Sequence, residues 1–413
     1  MTTRRELLRT GLHSVLWAAT ASALPRVTFA AVAPTSDARF VVILLRGALD
    51  GLTAVPPYGD LAYAAARGPI AIASPGANGG ALDLNGFFGL HPALPGLHAR
   101  YQAGELLVVH ATATAYRERS HFDGQNVLEN GGTFPSGAAS GWLNRALAAL
   151  PRAPSATVTP VGLAIGQNVP LILRGPVPVG SWAPARLPEV EPELITRLRD
   201  LYSNDSALAA RLDEAVSVAA LAGAEGNAPQ AGPGMGQGAG ANLNLARQMA
   251  GTAAQMLAAP QGPRVAVLDM TGWDTHAGEG AAEGQLASRL RGLDAVLDAL
   301  REGLGSAWGR SAVLVCTEFG RTAMVNGTRG TDHGTGAAAF LVGGAVQGGR
   351  VLADWPGLAA RDLYEGRDLR PTTDLRSIAK GVLREHLGLG RSTIEEVFPG
   401  SSSAPPVNGL IRA

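Results

Sequence analysis

TGWDTHAGEG, residues 271–280, follows the apolar run RVAVLDM and places Asp274 and His276 two residues apart beside the bulky Trp273. Apolar strands ordinarily run out into Gly, Asn or Ser turns, so an acid and an imidazole at that point call for a chemical reason. The pattern recurs along the chain. RGALDG carries Asp50, SHFD carries Ser120 and His121, TEFGRT carries Glu318 and Arg321, and GTDHGTG carries Asp332 and His333. Carboxylates and imidazoles without thiols suit zinc, manganese or a similar divalent ion acting as a Lewis acid; magnesium and calcium are the harder alternatives. A ring of acids with no metal would repel itself and raise its own pKa values. The metal ligands expected on this reading are Asp50, Asp274, His276, Glu318, Asp332 and His333. A single Asp after a strand is ordinarily a turn or cap residue; the recurrence carries the metal reading.

Ser120 has two possible roles that compete for one oxygen. SHFD is a Ser-x-x-Asp capping box, which makes Ser120 an N-cap with Asp123 reaching back. A hydroxyl at a helix N-terminus beside a metal is also a nucleophile whose alkoxide both would stabilise. The exposed amides there would hold an anionic ester. His121 is then a ligand or an acid–base partner, and Arg321 or Arg46 would hold the non-bridging oxygens. The chemistry expected is metal-dependent hydrolysis of a small phosphate or sulfate ester, with Ser120, His121 and Arg321 as its catalytic residues.

These residues need a scaffold that gathers them. RFVVILLRG (39–47) reads as a strand buried on both faces, and ELLVVHATAT (105–114) as a second. VTPVGLAIG is a weaker third, RVAVLDM and SAVLVCTEFG follow, and AAFLVGG is the last core strand. Between RVAVLDM and SAVLVCTEFG, Leu286, Leu290, Leu293, Leu297, Leu300 and Leu304 recur at helical spacing with charges between them, which is a crossover helix with one apolar stripe. Strands alternating with helices imply an α/β sandwich around a central, mostly parallel sheet. In such a sheet ligands bind outside the carboxyl ends of the strands, and that is where the acids and imidazoles fall. Residues 188–259 read as a helical insertion with a mobile Gly-rich loop. Its glycines do not meet the Gly-x-Gly-x-x-Gly spacing and follow no strand, so they make no dinucleotide site.

Composition narrows the rest. The 413 residues are 46% apolar and 16% charged with 34 acidic and 34 basic residues, which is globular and argues against nucleic acid as a partner. Lys380 is the only lysine and no Gly-x-x-x-x-Gly-Lys-Ser/Thr run is present, which argues against P-loop and Schiff-base chemistry, and no Gly-x-Ser-x-Gly elbow is present. The lone Cys316 excludes internal disulfides and thiolate-rich metal sites. At the N-terminus, Arg4 and Arg5 precede LHSVLWAATASALP and the small-residue region TFAAVAP. This order is that of a twin-arginine export signal over residues 1–33, implying a periplasmic or secreted protein. The apolar stretch is shorter than the roughly 20 residues of a membrane span, so no stable span is expected after cleavage.

The ordered motifs LRGALDGL, RSHFDGQ, GWDTHAG, TEFGRT and TDHGTG resemble those of the bacterial family named domain of unknown function 1501, over Phe40 to Leu387. The resemblance implies an alkaline phosphatase-like, or sulfatase-like, fold over 38–400, with 401–413 as a tail. It further implies a metal-ligating Asp50, a Ser120 nucleophile, and Asp274 and His276 as ligands. Where that superfamily has an Asp-His pair after the next strand, this chain has Glu318 and Phe319, with His333 as the final imidazole. An alternative register equates Asp332 and His333 with the pair and leaves the final His missing. Either way one imidazole is absent, so the site holds one or two ions. The alternative function is a non-catalytic, exported metal- or ligand-binding protein that keeps the fold and acts with a partner.

Overall fold

The computed structural model describes residues 37–150, 161–184, 192–202, 205–223 and 239–413. The expected export signal, residues 1–33, and most of the expected Gly-rich loop lie outside the described residues.

Among the described residues, eleven strands run in chain order: β1 Arg39–Arg46, β2 Leu82–Asp83, β3 Gly89–Leu90, β4 Leu106–Ala113, β5 Gly162–Ile165, β6 Gly180–Trp182, β7 Val265–Thr271, β8 Ser311–Thr317, β9 Ala337–Val342, β10 Arg350–Leu352 and β11 Thr373–Asp374. β2 and β3 pair with each other; the other nine form one sheet in the order β10-β4-β9-β8-β1-β7-β5-β6, with β11 beside β4. β9 alone runs antiparallel to its neighbours β4 and β8. The fold is a mixed α/β sandwich around a mostly parallel sheet. The six core strands read from the sequence are all present, and the short edge strands β6, β10 and β11 were not anticipated.

β1 is central because it is apolar on both faces. Val41, Ile43 and Leu45 pack into one core with the helix Gln285–Leu304. Phe40, Val42 and Leu44 point the other way, toward the helices Trp142–Ala149 and Leu375–Glu385. That alternation is the period-2 geometry of a strand covered on both sides. Each such side chain contributes roughly 1.5–3 kcal/mol when fully buried. All six leucines of the crossover helix are buried. The last helix of the region 188–259, Ala239–Ala258, is integral to this layer: Ala250, Ala253, Ala254, Met256 and Leu257 are buried in the same core. The small Gly251 and Ala254 let it lie against Gly303 of the crossover helix.

The C-terminal ends of β1, β4, β7 and β8 share one edge of the sheet. Because β9 is antiparallel, its beginning lies at that same edge. The segments 47–50, 114–121, 272–279 and 318–336 therefore converge there, and they carry the six expected metal ligands together with Ser120, His121 and Arg321.

Candidate metal centre

Two residues beyond β7, Trp273 is fully buried and donates its indole N–H to the Met270 carbonyl at 3.0 Å. The indole anchors the loop, and Asp274 and His276 emerge from it into solvent. Gly47, at φ +120°, passes so close that a Cβ there would lie 2.7 Å from the Asp274 amide nitrogen. Only glycine fits that position. After β8 the chain doubles back: Thr322 N–H donates to the Asp332 carbonyl (2.9 Å), Gly334 N–H to the Gly320 carbonyl (2.8 Å) and Gly320 N–H to the Thr335 carbonyl (3.0 Å). This short ladder sets Arg321 opposite His333. His121 opens the helix His121–Asn130, and its ring stacks on Phe319 with centroids 5.0 Å apart.

Four donors meet there. His333 Nε2 lies 2.9 Å from His121 Nε2 and 3.0 Å from His276 Nε2. Asp274 Oδ1 lies 3.0 Å from His276 Nε2 and 3.3 Å from His333 Nε2, and its Oδ2 is 3.4 Å from His121 Nε2. The donors of His121, Asp274 and His333 all fall within 4.8 Å of one another and form a group able to hold a metal ion. A tetrahedral zinc with bonds of 2.0–2.1 Å would space its ligand atoms by about 3.3 Å.

The opposite edge of each ring explains why the Nε2 atoms face inward. His121 Nδ1 is 2.8 Å from Glu318 Oε1, His333 Nδ1 is 2.9 Å from the Arg119 carbonyl, and His276 Nδ1 is 3.3 Å from Asp332 Oδ1. These three partners are acceptors, so each Nδ1 carries the hydrogen, and a neutral ring then presents Nε2 as a lone pair. Lone pairs 2.9–3.0 Å apart repel unless a cation stands between them. One proton could close one of the two Nε2–Nε2 contacts; a divalent ion answers both together with the carboxylate.

The local electrostatics agree. The hydrogen bond to Glu318 raises the His121 pKa, and burial works against it. Burial lowers the His333 pKa, followed by the neighbouring His121. Burial would raise Asp274, but the Arg321 hydrogen bond and charge outweigh it and hold the carboxyl below its ordinary range. The centre is open to solvent: side-chain exposure is 39% for Asp274 and 46% for His276. A substrate can therefore reach it.

The remaining expected residues are distributed differently. Glu318, read as a ligand, is fully buried behind His121, where it also accepts from Gly47 N–H (2.8 Å) and Gln125 (3.1 Å). Asp332 likewise stands behind His276 and accepts from Asn326 at 3.0 Å. Asp50 is not among the donors. Its carboxylate caps the helix Gly51–Ala54 through the Leu52 and Thr53 amides and pairs with Arg67, and both charges are buried. Arg321 is committed to Asp274 at 2.5 Å and to Thr331, and Arg46 to Asp269, Glu129 and Gln125. Neither guanidinium is free for a substrate oxygen. Ser120 is the N-cap residue by backbone conformation, yet its side chain makes no capping bond. The expected pairing with Asp123 is thus not formed. His121, read as a catalytic group, stands among the metal donors.

Sequence reasoning missed Arg67 and Glu279. Glu279 is fully buried and accepts from Thr275 (2.9 Å), Thr331 (2.8 Å) and Thr53 (3.2 Å). Thr331 also accepts from Arg321 at 3.2 Å. Glu279 thus joins the Asp50–Arg67 pair to the guanidinium that holds Asp274. It lies within the quoted stretch 271–280, where its spacing from Asp274 was the only available signal.

The chain belongs to the family described as protein of unknown function (DUF1501), whose model matches residues 37–398. No curated protein matches it in sequence. Among solved structures it is similar to Ps i-CgsB in complex with k-i-k-neocarrahexaose, with TM-score 0.36 and 8% identity over 75% of this chain and 66% of that one. It is also similar to the zinc complex of the C-terminal periplasmic domain of EcEptC from Escherichia coli, with TM-score 0.34 and 10% identity over 78% and 77% of the two chains. A third is the phosphonate monoester hydrolase of Agrobacterium radiobacter, with TM-score 0.34 and 12% identity over 84% and 74%. The chain spans about two thirds of the first and about three quarters of the other two.

Proposed function

We propose that this protein is an exported, metal-dependent hydrolase of an anionic phosphate or sulfate ester. His121, Asp274 and His333 hold one divalent ion, with His276 beside them as a further ligand or proton carrier. The observation that carries the reading is the convergence of imidazole Nε2 lone pairs on one carboxylate at a solvent-open strand edge. Nitrogen and oxygen donors without sulfur favour zinc, followed by manganese. With His276 as proton carrier, the three remaining ligands would leave a fourth position for substrate or water, as in catalytic rather than closed structural sites. When bound, the ion supplies Lewis acidity toward an ester oxygen.

The protein's own part is positioning. Ser120 precedes His121 at the helix start, and its hydroxyl is spared from capping, so it is the nucleophile in this reading. The first-turn amides of the ten-residue helix would hold the anionic ester, a role the committed Arg46 and Arg321 do not fill. That commitment favours the second reading, a non-catalytic exported protein that binds metal or ligand with a partner. Metal stoichiometry, melting temperature and turnover of aryl phosphates and sulfates separate the two for wild type, Ser120→Ala and His121→Ala. The hydrolase reading expects Ser120→Ala to lose nearly all turnover with metal retained, and His121→Ala to lose both. Metal bound with no turnover on any ester would leave the binding protein; no metal in wild type would overturn the hydrolase and reduce the second reading to a ligand-binding protein.

A further inference from the structure

His333 is held by two arginines, and one buried carboxylate holds both. The Arg119 carbonyl accepts from His333 Nδ1 at 2.9 Å, and the Arg367 guanidinium donates to the His333 carbonyl. Asp368 Oδ2 accepts from Arg119 Nε at 2.9 Å and lies 2.8 Å from its Nη2, while Oδ1 accepts from Arg367 Nε at 3.0 Å. The Asp368 side chain is fully buried although both arginines reach solvent. Its backbone is tied on two sides, to Tyr364 across a tight turn and to Thr322 on the loop that carries Arg321.

Arg119 needs such a tether. It adopts φ +63°, a left-handed conformation that a side chain with a Cβ rarely takes. That backbone turns its carbonyl toward His333 and delivers the next two residues, Ser120 and His121, to the helix start. Glu365 adds a second anchor on Arg119 Nη2 at 2.5 Å, but from a more exposed position.

We infer that Asp368 is a positioning residue of the centre: by clamping Arg119 and Arg367 around His333, it fixes the tautomer that presents Nε2 to the ion. The effect on metal affinity rests on the proposed metal reading; the tautomer does not. The acceptor on a ligating histidine's other nitrogen is worth about 10–100-fold in metal affinity; here that acceptor is the Arg119 carbonyl, and Asp368 holds it in place. Asp368 touches neither ion nor substrate, and it follows His333 by 35 residues in a motif-free stretch.

The test uses purified full-length mature protein with Asp368→Asn, Asp368→Ala and Arg367→Gln. Zinc affinity is measured by chelator competition, and the Co(II) absorption spectrum reports ligand geometry. In metal-free protein above the histidine titration range, ¹⁵N chemical shifts of His333 report which nitrogen carries the hydrogen. The expected result is about 10–100-fold weaker zinc binding for both Asp368 variants, with a changed cobalt spectrum and a shift of His333 away from the Nδ1–H form. Arg367→Gln should weaken zinc binding less and shift the tautomer in the same direction. Wild-type affinity in the Asp368 variants would overturn the inference. So would weaker affinity with an unchanged tautomer, because that is a general loss of stability. If the Asp368 variants fail to fold, Arg367→Gln decides, and wild-type affinity and tautomer in it overturn the inference. A wild type that binds no ion while its His333 tautomer still follows Asp368 would remove the metal reading and leave this one standing.

Discussion

Replacing Glu318 with Gln separates the electrostatic support of His121 from its packing. The carboxylate accepts from Gly47 N–H, Gln125 and His121 on Oε1, and from Thr317 Oγ1 (3.0 Å) on Oε2. A glutamine fits with its oxygen at the Oε1 position. Its NH₂ then faces Thr317, whose hydroxyl already lies 2.8 Å from the Leu45 carbonyl and can donate there instead. Gly47 N–H, Gln125 and His121 each keep their acceptor, so the stability cost should stay within about 1 kcal/mol. Glu318→Ala would strand Gly47 N–H, Gln125 and His121, at about 1–3 kcal/mol each. What glutamine removes is the charge. A hydrogen bond to an ionised acceptor is worth about 1.5–3 kcal/mol against about 0.5–1.5 for a neutral one. The difference of about 1–1.5 kcal/mol predicts roughly tenfold weaker metal binding. The same bond raises the proton affinity of His121, so its loss also weakens proton competition. The deficit should therefore be largest near pH 8 and shrink toward pH 6. Zinc competition at both values, with urea melts alongside, tests it. Affinity within twofold of wild type at pH 8 would refute the Glu318–His121 argument.

Burial, then the nearby Asp50 charge, pushes the Glu279 carboxyl up to about 8 from an ordinary 4.5. Between those values the native state keeps a proton that the unfolded chain has lost, so wild-type stability should fall with rising pH by up to about 1.4 kcal/mol per unit. Glu279→Gln should flatten that slope, and equal slopes in urea melts at pH 5.5 and 7.5 would contradict it. Export is tested at the other end of the chain: replacing Arg4 and Arg5 by Lys should hold precursor in the cytoplasm, and unimpaired mature protein outside it would mean another route.

The sheet was legible because its core strands are buried on both faces, and continuous apolar runs such as RFVVILLR admit few other readings. The crossover helix was legible because its leucine stripe keeps one period for five turns. The short edge strands were not, since three residues hold no period. Among the described residues, the carrying edge of the sheet was inferred from chemistry at strand ends, and His333 reaches it only because β9 is antiparallel. Nothing in AAFLVGG reveals its direction. The distinction between inner donors and the acids behind them was likewise hidden. Glu318 and Asp332 are the same residue types as a ligand, and only the ring edge they face separates them from one.

Asp50 shows the same difficulty in sharper form. An aspartate after a strand can turn outward to a metal or back onto the following helix, and both uses read alike in RGALDG. The outcome depends on Arg67, seventeen residues later in a five-residue helix with no motif of its own. Once that guanidinium is buried against Asp50, the carboxylate has its counter-charge, and a second divalent ion there would have to displace it. The guanidinium in turn donates to the Thr322 and Ala323 carbonyls at 3.1 and 3.2 Å, so it is pinned to the loop that carries Arg321. Asp50 therefore serves the proposed centre from behind. It fixes the cation that braces this loop, and the loop fixes the cation that braces Asp274. On that argument the proposed centre would hold one ion, and the fixed positive charges beside it belong to the protein.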